Sequence, residues 1–119
     1  MIIAIPVEKD SKESLVSEHF GRSNYFLIYN TDAKEYRFVK NSAAKSSGGA
    51  GIKAAQIVVD ENTEVLVSPQ LGQNAADVIK EAKIKIYKAQ VGTIKENLQA
   101  LEEEKLNLLS EVHEGYHGN

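Results

Sequence analysis

The sequence predicts an α/β domain built on a five-stranded mixed sheet with helices over both faces. Three observations carry that expectation. Five strand-like runs are followed, after the third, by alternating helical patterns. Some of those runs are apolar on both faces, whereas others carry charges at every second position. Finally, a short polar connection joins the second run to the third, as in a hairpin.

The strand-like runs are 2–7 (IIAIPV), 25–30 (YFLIYN), 35–40 (EYRFVK), 64–68 (EVLVS) and 84–88 (IKIYK). The four residues TDAK close the hairpin between the second and third. Three helices are expected in the second half. Ile52, Ala55 and Val59 share one face of the first, and Ala75, Val78, Ile79 and Ala82 form the face of the second. Ile94, Leu98, Leu101 and Leu108 make the stripe of the third. The element order is β-β-β-α-β-α-β-α.

Strand character suggests the sheet order. IIAIPV, YFLIY and VLV read as central strands, while EYRFVK and KIKIYK read as edges. The hairpin places strand 3 beside strand 2, and a right-handed crossover places strand 5 beside strand 4. Strand 1 then fills the gap, giving 3-2-1-4-5 with strand 2 antiparallel. In that order the loop 8–24, the run SSGGAG, the run SPQLGQN and the run QVGT gather at one edge. Ligands of open α/β sheets bind beyond the carboxyl ends of the strands, so one site is expected there.

Size and composition narrow the class. A chain of 119 residues, 42% hydrophobic and 26% charged, reads as one ordinary domain. We expect that domain over residues 1–111 and a flexible tail over 112–119. With 14 basic and 17 acidic residues the net charge is −3, which argues against nucleic acid as the main partner. MIIAIPV is too short for a membrane span and lacks a basic leader, so no membrane partner is expected. Together with the absence of cysteine, this points to the cytoplasm. The same absence removes disulfides, thiolate nucleophiles and an all-thiolate cluster site, so a metal would need His, carboxylate, backbone or its own ligands.

The edge offers particular chemistry. Helix N-termini are expected near Gly48–Gly51, near Gly72–Asn74 and at Gly92–Thr93. Their unpaired amides favour an anion by roughly 0.3–1 kcal/mol each where exposed. Glycine and threonine are also routine helix-start residues, so capping alone is the other reading. His19, in SEHFGRSNYF, is a candidate metal ligand or a donor to an anion. It can equally be a loop residue bonded to backbone, with Phe20 as the anchor. Arg22 can pair with an anion or with a nearby carboxylate. His113 and His117 are spaced four apart, a metal-pair spacing on a helix, but Gly115 and Gly118 argue for a solvated tail. Lys80, Lys83, Lys85 and Lys88 surround an edge strand and discourage edge pairing, and LEEEKL reads as a solvated face.

Catalytic patterns do not emerge. There is no Walker pattern, no dinucleotide fingerprint after strand 1 and no nucleophile elbow. Strand 1 has no acidic residue and strand 4 has only Glu64, at its far end, so a two-metal nuclease is not expected. The reading is therefore of a protein that is not an enzyme.

The ordered motifs EHFGRSNYFLIY, GGAGIKAAQ, VLVSPQLGQNAADVIKEAKIKIYKA and GTIKENLQAL resemble the dinitrogenase iron–molybdenum cofactor biosynthesis family, which includes NifX-like proteins and the carboxyl-terminal domain of NifB. The resemblance runs from Met1 to about Leu109. It implies a three-layer α/β/α, ribonuclease H-like fold, and binding or carriage of an iron–molybdenum cofactor, its precursor or a related metal–sulfur cluster. It also implies cofactor-assembly or acceptor proteins as partners. The family's histidine maps onto His19, here the metal or cluster ligand, with Arg22 beside it. Its glycine-rich motif maps onto Gly48, Gly49 and Gly51, and its G-P-N-A-like motif onto Gly72, Asn74 and Ala75. Gln73 stands where the family often has proline. Two other classes stay open beside this one: a regulatory module for a small anionic metabolite, and an interaction domain pairing through an edge strand or the last helix.

Overall fold

The computed structural model describes residues 1–109. The proposed domain boundary at 111, the tail 112–119, His113 and His117 lie outside the described residues. Strands β1 (Ile2–Val7), β2 (Tyr25–Asn30), β3 (Glu35–Lys40), β4 (Val65–Ser68) and β5 (Lys85–Lys88) form one sheet of order β3-β2-β1-β4-β5. β2 runs antiparallel to both neighbours, whereas β1, β4 and β5 are mutually parallel. The expected topology is therefore the observed one.

Strand alternation sends side chains into two separate cores. Ala4, Phe26, Ile28, Leu66 and Ile86 pack under α1 (Ala50–Asp60) and α2 (Gln73–Glu81). Ile3, Ile5, Val7, Leu27, Val65 and Val67 pack toward α3 (Ile94–Glu102) on the other face. Both faces of the central strands are thus covered, which is why their sequences are continuously apolar. The layers are α/β/α.

Three expectations need correction. The buried face of α1 is Ala50, Ala54, Ala55 and Val58, and Ile52 is exposed. α1 is apolar around much of its circumference, so period alone leaves adjacent stripes equivalent. The small alanine stripe wins because it lets the helix sit close to the sheet and α2. Leu108 does not extend α3: the helix stops at Glu102, and Leu108 bridges antiparallel to Tyr87 and is exposed. The N–H of Lys88 donates to the carbonyl of Asn107 and that of Leu109 to Ile86. Residues 107–109 thus cover the outer edge of β5, and the lysines do not leave that edge open.

Each helix ends on a left-handed residue that is not glycine: Asn62, Lys83 and Glu104. After α2, Lys83 N–H donates to Lys80 and Ile84 N–H to Ile79. After α3, Glu104 N–H donates to Leu101 and Lys105 N–H to Ala100. Both are complete Schellman turns, which satisfy the last carbonyls and turn the chain sharply into the next segment.

Candidate functional site

The loop 8–24 straddles the carboxyl edge of the sheet. Its first half belongs to the α3 layer: Val16 is in that core, bridges Val7, and donates its N–H to Gly92 at 2.9 Å. Its second half belongs to the other layer. Phe20 is buried among the α1 and α2 residues, with its ring 5.2 Å from that of Phe26. Apolar anchoring at Phe20 therefore decides on which side of the edge His19 stands.

His19 is fastened through its backbone. The buried Ser17 hydroxyl accepts from His19 N–H at 3.2 Å and lies 3.1 Å from the His19 carbonyl, to which it donates. The His19 side chain is exposed, and its imidazole makes no hydrogen bond to any described residue. Its two readings thus separate by atom: the main chain ties the loop, while the ring stays available.

Gly21 carries the loop onto α1. A Cβ at Gly21 would lie 3.0 Å from both the Cα and N of Gly51 and 3.3 Å from the Ala50 carbonyl carbon. Only glycine permits that approach. Gly51 in turn faces α2, where an added Cβ would meet the Ala75 Cβ at an ordinary 3.6 Å. The His19 loop, the first turn of α1 and the first turn of α2 are thereby brought together.

Both of those helix starts lack a side-chain cap. Gly49 caps α1 with φ of 67°, Gly72 caps α2 in an extended conformation, and neither first turn holds an acidic residue. The first helical bonds are Lys53 N–H to Gly49 and Ala76 N–H to Gly72. The amides of residues 50–52 and 73–75 are therefore without a protein acceptor among the described residues. At Gly48, Gly49 and Gly72 a Cβ would meet nothing within 4 Å. Packing does not demand glycine at Gly48 or Gly72, and its effect there is to bare the backbone. Asn74 is exposed in the first turn of α2, while Gln73 donates to Asp77 at 2.8 Å along the same helix.

The third helix start differs. Thr93 and Glu96 form a full capping box, with Glu96 N–H donating to the Thr93 hydroxyl at 3.1 Å and Thr93 N–H to the Glu96 carboxylate at 2.9 Å. These bonds hold the Glu96 carboxyl below its ordinary range, the backbone donor contributing most. α3 also lies on the opposite face of the sheet. The expectation of three converging helix N-termini is thus corrected to two, because the third is already satisfied by its own acid.

Arg22 pairs with no carboxylate among the described residues. Its Nη1 donates to the carbonyls of Ala44 and Ser46, at 2.8 and 3.1 Å, pinning the small-residue loop before α1. Lys53 Nζ donates to the Ser46 hydroxyl at 2.8 Å, and that hydroxyl donates to the Gly48 carbonyl at 2.7 Å. Neither cation is ion-paired among the described residues. Positive charge therefore flanks the start of α1.

Other residues shape the site without standing out in the sequence. Asn41, buried at the end of β3, donates to the carbonyls of Gly21 and Ser23 and accepts from Ala43 N–H, so it couples the two loops. Gln70 donates to the Glu18 carbonyl at 2.7 Å, and its own carbonyl accepts from the buried Ser68 hydroxyl. An Asn directly after a strand and before a turn is the signal that could have marked Asn41. Nothing local marks Gly21 or Gln70, whose partners are remote in sequence.

Among the described residues no three His, Cys, Asp or Glu side chains gather into a metal cage. No described helix is long and apolar enough to cross a membrane.

Known proteins share this fold and family. An uncharacterized protein from Methanocaldococcus jannaschii is 28% identical over 109 residues, covering 89% of each chain. The solved structure of a NifB-like protein from Thermotoga is 34% identical, with 92% of this chain and 93% of that one covered and a TM-score of 0.81. The apo form of the orange protein from Desulfovibrio gigas is 26% identical, with 92% of each chain covered and a TM-score of 0.87. The model of the family described as dinitrogenase iron-molybdenum cofactor matches residues 1–104. With the match spanning the whole sheet and all three helices, the chain belongs to the dinitrogenase iron–molybdenum cofactor family.

Proposed function

We propose that this protein is a non-catalytic, cytoplasmic carrier or accessory factor that binds an anionic metal–sulfur cluster as cargo during cofactor assembly. The observation that carries the reading is the pair of uncapped helix starts, α1 and α2, with the His19 loop packed on one of them through Gly21 and Gly51. Six amides aimed at a shared edge, without an acid in either first turn, suit an anion. A cluster that brings its own sulfide ligands does not need a protein cage of three side chains.

In this reading the backbone at Gly48, Gly49, Gly51, Gly72 and Asn74 cradles the cluster, and His19 ligates it or donates to it. Arg22 adds positive charge from the shoulder while holding its two carbonyls. Family membership and the NifB-like neighbour support cofactor-related assembly as the setting, with assembly or acceptor proteins as partners.

Anaerobic titration with tetrathiomolybdate, followed by visible absorption, tests the reading. Saturable uptake is expected, weakened at least about tenfold, or 1.4 kcal/mol, in His19→Ala. No uptake by the wild type overturns the carrier reading. Equal uptake by His19→Ala overturns the role of His19 alone. The same amides favour a second reading, a module for a small phosphorylated or carboxylate metabolite. In that case phosphate raises the melting temperature and tetrathiomolybdate does not compete.

A further inference from the structure

The sheet has two edges, and they are treated differently. Residues 107–109 cover β5, whereas β3 has no strand on its outer side among the described residues. β3 is regular, without proline or bulge, and pairs with β2 throughout Glu35–Lys40. The phase of its hydrogen bonds follows from the next pair along. Asn41 N–H donates to the Asn24 carbonyl at 3.0 Å, and the register continues with Tyr25 opposite Lys40. Bonded and non-bonded pairs alternate in an antiparallel ladder, so Val39, Arg37 and Glu35 turn their backbone groups toward β2. Tyr36, Phe38 and Lys40 turn theirs outward.

We infer that β3 pairs antiparallel with β3 of a second copy, centred on Phe38. Two constraints select that register. The outward groups are those of Tyr36, Phe38 and Lys40, and residues opposite each other must share a sheet face. Phe38 opposite Phe38 of the second copy, with Tyr36 opposite Lys40 on either side, meets both and uses all three outward residues of each chain. Each of these pairs exchanges two backbone hydrogen bonds.

The side chains suit the pairing. Tyr36 and Phe38 are only half buried on the α3 face, where a cavity of about 850 Å³ separates Tyr29 and Tyr36 from Leu98 and Leu101. The helix therefore leaves this end of the sheet uncovered. A second β3 sets Phe38 against Phe38 as an aromatic pair, while Tyr36 keeps its own contacts, with the Tyr29 ring 4.5 Å away and Lys12 Nζ 4.6 Å from its ring centre. On the opposite face Arg37 is already ion-paired with Glu61, so the edge does not present that charge unpaired to its copy.

Sedimentation from about 10 μM to about 1 mM tests the inference, a range that spans weak self-association. The wild type is expected to shift toward twice the monomer mass. Lys40→Pro removes an outward donor but no bond to β2, so it should keep the fold, checked by circular dichroism, and weaken association at least about tenfold. Because the chain has no cysteine, single substitutions report the register. Phe38→Cys should crosslink under mild oxidation faster than Tyr36→Cys or Lys40→Cys, since Cα atoms about 5.5 Å apart suit a disulfide. A wild type that stays monomeric across the range overturns the proposal, including the case in which the edge takes a strand from a different protein. So does crosslinking that does not peak at position 38.

Discussion

Replacing Gly21 by alanine should destabilise the protein and replacing Gly51 should not, although the two glycines touch. At Gly21 the added Cβ sits 3.0 Å from two backbone atoms of Gly51 and 3.3 Å from a third atom in Ala50. None of these can rotate away, because all belong to the first turn of α1. Overpacking of this kind costs about 1–3 kcal/mol. Taking about 2 kcal/mol, the melting temperature of a domain this size should fall by roughly 8 °C. At Gly51 the nearest atom to an added Cβ is the Ala75 Cβ at 3.6 Å, ordinary contact. There alanine also restricts the unfolded chain and favours the helix, a gain of up to about 0.5–1 kcal/mol. Urea unfolding followed by circular dichroism gives both values. If Gly21→Ala is as stable as the wild type, or Gly51→Ala is the more damaging change, the packing of the His19 loop on α1 is wrong as argued.

Asn41→Ala leaves the buried Ser23 carbonyl, the half-buried Gly21 carbonyl and the buried Ala43 amide without partners, so it should cost on the order of 3 kcal/mol in urea unfolding. Lys83→Gly should stabilise by about 0.5–1 kcal/mol in the same assay, because Lys83 holds φ of 63° at the left-handed end of α2. The Glu96 carboxyl is lowered from 4.5 in the folded state, chiefly by the Thr93 N–H. Its contribution is present above pH 4.5 and lost as pH falls through the lowered value, and Glu96→Gln should flatten that part of the stability–pH curve while retaining the cap.

Much of the fold was legible because the sheet rests on local and pairwise signals. Strand periods, the TDAK hairpin and the contrast between VLV and KIKIYK suffice for the order β3-β2-β1-β4-β5. The helix faces were less legible. Where alanine and larger apolar residues share most of a helix surface, as in α1, the buried stripe is chosen by what fits against the sheet. The end of α3 was misread for a related reason: Leu108 keeps the helical period, yet its hydrogen-bonding segment docks on β5 after the Schellman turn at Glu104.

The site divides in the same way. Sequence by itself determined that glycine-rich helix starts and the His19 loop meet at the carboxyl edge, because topology places every connection after a parallel strand there. Only the tertiary structure decided which of them act together. Thr93 and Glu96 close the third helix start locally, Phe20 draws His19 to the side of α1 and α2, and Gly21 seats that loop on Gly51. The physical reason is that a capping residue names a helix start but not whether its amides are already satisfied. A glycine likewise does not name the backbone it allows to come close. Both are settled by partners distant in the chain.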